Sequence, residues 1–344
     1  MKTRVIIVDD SATMRAVIAK YLQVDSEIEV VGQAADPHEA RQLIKELSPD
    51  VITLDIEMPN MSGISFLEKI MKLRPTPVVM VSSLTQAGAD INLRALEIGA
   101  FDCVAKPSSI SPDSFSNLAE KVKAAAKSGY KFRSHRSPQA LLNLKNYESD
   151  GRLIAIGSST GGVEALIEIL SKFPENCPPV LISQHMPATF TKSFAARLDK
   201  LCRPSVCEAE DGQRLEVGHV YLAPGDHHLE LAGRMFPEIR LNQGDKVNGH
   251  RPSVDVMFKS VAGRVGKRAV AAILTGLGCD GAEGLLALRK VGAETFGQDA
   301  ASCVVYGMPR AAFEIGAVER QVSLEKMASQ LLAATSVHQK VLLS

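Results

Sequence analysis

The sequence predicts an α/β protein of two doubly wound parallel-sheet domains, the second also carrying an antiparallel β meander. Three observations predict it. Short β-branched runs alternate with amphipathic helical stretches in both halves of the chain. Val5–Val8, Val51–Leu54 and Val78–Val81 are apolar throughout, the pattern of strands buried on both faces. The 344 residues suit two domains, and the polar, aperiodic stretch 128–149 lies between the two alternating halves.

In residues 1–127, strands are expected at Arg4–Val8, Glu29–Ala34, Val51–Leu54, Pro77–Val81 and Asp102–Ala105. Met14, Val17, Ile18, Tyr21 and Leu22 form one helical stripe. Asp36-Pro37-His38-Glu39 is a capping box with proline at the first helical position; Ala40, Leu43, Ile44 and Leu47 then share a face. Further helices are expected at about Gly63–Leu73, Asn92–Ile98 and Asp113–Lys127. The linker 128–149 holds four Lys/Arg against Glu148, with room for a short helix at Ala140–Leu144. In residues 150–344, strands are expected at Leu153–Ile156, Pro179–Ser183, Ala269–Leu274 and Thr295–Gln298. The meander covers His219–Leu222, Leu229–Ala232 and Phe236–Leu241. Helices are expected at Gly162–Leu170, Ala188–Leu201, Val254–Val265, Ala282–Val291 and Leu324–Ala334.

Composition narrows the function classes. Lys+Arg and Asp+Glu are 39 each, and residues 150–344 hold 21 of each. A nucleic-acid binder needs a basic footprint, so a transcription-factor output is disfavoured. The apolar run after Arg4 stops at Asp9-Asp10, too short for a secretory signal, and no run suits a membrane span. The six cysteines form no CxxC pair and no zinc spacing, although Cys202 and Cys207 could meet. They read as free thiols of a cytoplasmic protein.

Four of the five expected strands of the first domain are followed by a polar residue: Asp9 and Asp10 after the first, Asp55 after the third, Ser82 and Ser83 after the fourth, Lys106 after the fifth. Ligands of open α/β sheets bind at that edge. Three close carboxylates repel one another unless a divalent cation sits among them, and Mg²⁺ prefers hard oxygen ligands and phosphate. One carboxylate can then attack a phosphoryl group whose charge metal and lysine neutralise. Val-Asp9-Asp10-Ser, Asp55-Ile-Glu-Met-Pro, Ser82 and Lys106-Pro107 closely resemble the response-regulator receiver domain of two-component signalling. The resemblance implies a flavodoxin-like fold and phosphorylation of Asp55 by a histidine kinase. It also implies Mg²⁺ on Asp9, Asp10 and Asp55, Lys106 against the phosphoryl group, and Ser82 moving to bond it as the switch. Cys103 stands where many receivers carry an aromatic switch residue.

In the second domain, Gly157-Ser158-Ser159-Thr160-Gly161-Gly162 joins a strand to a helix. It lacks the lysine of a phosphate-binding loop and the acid of a dinucleotide fingerprint. It fits G-x-S-x-G, a turn that exposes the Ser159 hydroxyl beside helix-terminal amides. His185 ends the next strand and Asp280 follows the Ala269–Leu274 strand, both at the same edge. His250 is the runner-up base; Asp226 and Asp299 are runner-up acids. His219, His227 and His228 fall in the meander. Ile156-Gly-Ser-Ser159-Thr-Gly-Gly, Ser183-Gln-His185-Met, Ala223-Pro-Gly, Arg251-Pro-Ser-Val-Asp and Thr275-Gly-Leu-Gly-Cys-Asp280-Gly resemble the chemotaxis protein-glutamate methylesterase (CheB) family. That family's triad falls on Ser159, His185 and Asp280. Leu277 and Cys279 replace its usual methionine and asparagine. The resemblance implies a Rossmann-like esterase domain that needs no cofactor for ester hydrolysis. It would remove glutamate γ-methyl esters from, and deamidate glutamines on, methyl-accepting chemoreceptors. A chemotaxis histidine kinase would be the phosphodonor, with neither nucleic-acid binding nor membrane insertion.

Overall fold

In a computed structural model the chain forms two units, Met1–Arg136 and Ser137–Ser344. The structure describes residues 1–58, 61–82, 86–106, 115, 117–128, 147–233 and 236–338. Ser83, Pro107, the start expected for the fifth helix at Asp113 and the helix expected at Ala140–Leu144 lie outside the described residues.

The first unit runs β1 (Thr3–Val8), α1 (Ala12–Gln23), β2 (Ile28–Ala34), α2 (Pro37–Leu47), β3 (Val51–Asp55), α3 (Gly63–Leu73), β4 (Val78–Ser82), α4 (Gln86–Ile98), β5 (Asp102–Ala105) and α5 (Leu118–Lys127). All its strand pairings are parallel, in the order β2-β1-β3-β4-β5. The cap forms: the Asp36 carboxylate accepts from the His38 and Glu39 amides, while Glu39 reaches one residue further back than a capping box, accepting from the Ala35 amide at 2.7 Å. Ser11 and Ser62 cap α1 and α3 in the same way. Ile6, Val8, Leu54, Leu67, Val78 and Met80 are among the side chains that pack one face of the sheet. Helix α4 begins six residues before the expected Asn92.

The second unit runs β6 (Leu153–Ser158), α6 (Gly162–Leu170), β7 (Val180–Gln184), α7 (Ala188–Leu201), β8 (Ser205–Glu208), β9 (His219–Leu222), β10 (His228–Ala232), β11 (Glu238–Asn242), α8 (Val254–Arg264), β12 (Ala269–Ile273), α9 (Ala282–Lys290), β13 (Glu294–Gln298), α10 (Met308–Glu314), β14 (Arg320–Val322) and α11 (Leu324–Ala334). Its seven-stranded sheet has the order β14-β13-β12-β6-β7-β9-β8, parallel throughout. The antiparallel part is smaller than the expected meander. Among the described strands only β10 and β11 pair antiparallel, whereas His219–Leu222 joins the main sheet beside β7. The reason is burial: Val220, Tyr221 and Leu222 are buried and read as a core strand. Packing of this unit starts by Tyr147, within the expected linker. Its ring is buried and its hydroxyl bonds Thr335.

The chain winds from β6 outward through β7, then returns to β12 on the other side of β6. The β6/β12 border is therefore the topological switch point of the sheet, where carboxyl-end loops diverge and leave a crevice.

Candidate active site

Two glycines make the turn after β6 possible. A side chain at Gly157 would meet Val254 Cγ1 at 2.1 Å, so only glycine lets α8 approach the strand. Gly161 has φ +76°, a left-handed conformation that turns the chain into α6. Ser159 sits between them, half-buried. Its amide donates to the Thr275 carbonyl at 3.0 Å, tying the turn to the end of β12. Gln184 ties it to β7: its Oε1 accepts from Ser158 Oγ at 2.6 Å and its Nε2 donates to the Ser159 carbonyl at 3.0 Å.

Ser158 and Gln184 are the last paired residues of β6 and β7. Ser159 and His185 follow them directly, on strands ~4.8 Å apart. His185 Nε2 lies 2.8 Å from Asp280 Oδ2, and the two side chains are only 7% and 1% exposed. His185 Nδ1 is buried and has no hydrogen-bond partner. Among the described residues, Ser159 Oγ forms no hydrogen bond either. The expected base and acid thus meet directly. The hydroxyl and imidazole share an edge without yet bonding, as is common before substrate tightens a site.

Asp280 is held by more than His185. Its Oδ2 also accepts from the Val254 amide at 2.7 Å. Its Oδ1 accepts from Ser253 Oγ at 2.7 Å, Asn248 Nδ2 at 2.9 Å and the Asp255 amide at 3.3 Å. Burial pushes this carboxyl up, but bonds and charge from His185, with those from Asn248 and Ser253, overcome burial and hold it well below the usual carboxylate range. The neighbouring Asp255 takes the opposite direction: burial raises it against a bond from the Gly284 amide.

Asn248, Ser253 and Gln184 are the partners the sequence reasoning did not name as site residues. Ser253 carried a signal, since it is the N-cap of α8. Asn248 carried a weaker one: Asn-Gly marks a turn, and Asn248 takes φ +52°.

The runner-up residues fall elsewhere. Asp226 pairs with Arg251 at 2.6 Å, and Asp299 accepts from the Ser302 amide beyond β13. His219 lies 3.9 Å from Glu216, and His227 Nδ1 is 3.3 Å from the Gly225 carbonyl. His228 is buried against the Ser253 amide and the Asp245 carbonyl. His250 alone reaches the site, stacked on His185 with centroids 3.6 Å apart. Cys279 is an exposed thiol, and none of the six cysteines forms a disulfide.

In the first unit, Asp9, Asp10 and Asp55 offer carboxylate oxygens within 4.8 Å of one another. Lys106 Nζ is 2.9 Å from Asp9 Oδ2 and 2.7 Å from Asp55 Oδ2, both buried carboxylates. Burial raises the Asp55 carboxyl, Lys106 opposes that, and the Asp9 charge adds to it. For Lys106, burial lowers the ammonium but bonds to Asp55 and Asp9 outweigh it, so the ammonium is raised. Three carboxylates against one ammonium leave negative charge uncompensated. Hard oxygen donors in that arrangement suit a divalent cation. Ser82 is buried and its Oγ accepts from Asn92 Nδ2 at 2.7 Å, a partner outside the sequence expectation. Cys103 Sγ approaches the Asn92 carbonyl at 3.8 Å.

Family models match both units: a CheB methylesterase over residues 154–331 and a response regulator receiver domain over residues 5–115. The chain belongs to the CheB methylesterase family. A protein-glutamate methylesterase/protein-glutamine glutaminase of Caulobacter vibrioides is 60% identical over 339 residues, covering 97% of this chain and 98% of the relative. One of Shigella flexneri is 50% identical over 99% of both chains. The CheB methylesterase catalytic domain of Thermotoga maritima matches with 39% identity and TM-score 0.52, covering 53% of this chain and 97% of that one. As a CheB family member the chain pairs a receiver with a methylesterase domain. No described helix is long and apolar enough to cross a membrane.

Proposed function

We propose that this chain is a phosphorylation-regulated protein-glutamate methylesterase and glutaminase of the cytoplasm, acting on chemoreceptor helices. Residues 1–127 would form its receiver, 128–149 its linker and 150–344 its catalytic domain. The observation that carries the reading is the buried His185–Asp280 pair beside the Ser159 turn.

In this mechanism Asp280 orients the imidazole and stabilises its cation. His185 Nδ1 takes the Ser159 proton as Ser159 Oγ bonds the ester carbonyl carbon. The resulting oxyanion faces backbone amides at the start of α6 and that of Leu277. The Gly276 carbonyl accepts from the Gly307 and Met308 amides, so the Leu277 N–H of the same peptide plane points the other way, away from α10. A backbone donor makes leucine as good as methionine at this position. The imidazolium returns its proton to the leaving methanol, or to ammonia from a glutamine. Water then hydrolyses the acyl-enzyme, leaving glutamate.

In the receiver, Asp55 accepts the phosphoryl group from a chemotaxis histidine kinase. Asp9, Asp10 and Asp55 would hold Mg²⁺, which would neutralise phosphoryl oxygens when bound. Lys106 contacts the phosphoryl group, and Ser82 leaves Asn92 to bond it. Methanol release from methylated receptor, with and without acetyl phosphate, tests the whole reading. Ser159→Ala is expected to cut release by about 10⁴-fold or more while Asp55 still accepts phosphate. Undiminished release would remove Ser159 as nucleophile.

A further inference from the structure

The ring of His250 lies flat on that of His185, with planes 9° apart and centroids 3.6 Å apart. The Ser159–His185–Asp280 chemistry leaves this ring without a role. The bond to Asp280 anchors one atom of the imidazole, Nε2. The ring can still tilt about that bond, and a tilt would swing Nδ1 away from Ser159. A second ring at van der Waals distance blocks the tilt.

His250 is itself well placed to stay put. Its amide donates to the Val247 carbonyl at 2.9 Å, and the Val247 amide donates back at 3.1 Å. The turn between them passes through Asn248 and Gly249, both at positive φ. The next residue, Arg251, is tied to Asp226 and to the Gln243 and Gly244 carbonyls. The same turn sends Asn248 Nδ2 to Asp280 Oδ1 and to Asp255 Oδ2, each at 2.9 Å. One short turn therefore carries both the amide that braces the acid and the ring that braces the base.

We propose that His250 is a positioning residue for this reaction, its stacked ring setting the plane of His185. The inference rests on the reading of His185 as base.

The test uses the full chain with excess acetyl phosphate. Two rates are read: methanol release from a methylated receptor fragment, and covalent labelling of Ser159 by a fluorophosphonate. His250→Ala is expected to lower kcat and the labelling rate about 10- to 100-fold, with KM within about twofold. His250→Phe keeps a flat ring and is expected to recover most of both rates. Melting temperatures check that the variants fold; if alanine does not fold, His250→Leu, bulky but not flat, replaces it. Unchanged rates without the ring would overturn the proposal. So would a phenylalanine variant no better than alanine or leucine. Hydrolysis surviving in Ser159→Ala would instead overturn the underlying mechanism and leave the stacking question separate.

Discussion

The two units place a buried aspartate at the carboxyl edge of a parallel sheet, Asp55 as the last residue of β3 and Asp280 in the loop beyond β12, and treat it in opposite ways. Asp280 is surrounded by donors: an imidazole, an amide side chain, a hydroxyl and two backbone N–H groups. Its charge is settled and its carboxyl depressed. Asp55 is as buried, yet beyond the Glu57 amide its main partner is the Lys106 ammonium, which it shares with Asp9. Its carboxyl is raised. A saturated carboxylate cannot attack anything; it can hold a base in place. An undersatisfied one has lone pairs to spare for a cation or a phosphoryl group. Hydrogen-bond satisfaction, more than burial, separates the acid proposed to position a base from the one proposed to react.

The sharpest way to break this comparison is Asp280→Asn. It keeps the shape but alters the donor pattern and removes the charge that stabilises imidazolium. The expected loss in kcat is about 10³- to 10⁴-fold, with acetyl phosphate labelling of Asp55 unchanged. An active asparagine variant would contradict the positioning role. In the other unit, Asp55→Ala is expected to leave basal methanol release in place and abolish its stimulation by acetyl phosphate. Stimulation that survives would move the phosphoryl acceptor elsewhere.

A smaller effect sharpens the contrast. Asn248→Ala deletes one donor to Asp280 and one to Asp255, and is expected to lower kcat about 5- to 30-fold, at ~1–2 kcal/mol. A neutral result would show the carboxylate to be held without it. The smallest effect is on stability. A carboxyl depressed in the folded state contributes stability fully present above its unfolded pKa of ~3.9, which disappears as pH falls through the folded value. Urea unfolding should therefore show wild type more stable than Asp280→Asn by ~1–3 kcal/mol near neutral pH. The gap should shrink below about pH 4. A gap that widens toward acid would reverse the sign assigned to Asp280.

The placement of both clusters was legible in the sequence because each candidate residue lies at or beyond the carboxyl end of an apolar run, and such runs end at one edge of a parallel sheet. Ser159, His185 and Asp280 lie far apart in sequence, yet strand-end logic alone gathers them. The bracing was less legible. Asn248 reaches Asp280 across 32 residues, and Asn92 reaches Ser82 from the middle of α4; no local pattern encodes either bond. β8 escaped notice because only Val206 of its four residues is buried. The α10 helix escaped because its seven residues are too short for a period. β9 resembles part of a meander in sequence because the Gly-turned hairpin follows it, although its buried Val-Tyr-Leu run belongs to the parallel sheet.

A ¹³C NMR titration of aspartate carboxyl carbons, with Asp280→Asn and Asp55→Asn assigning the two signals, tests the contrast most directly. The signal of Asp280 should stay ionised through the range where free aspartate titrates, and that of Asp55, in metal-free protein, should titrate above it. Two signals titrating together at the ordinary aspartate value would contradict the account.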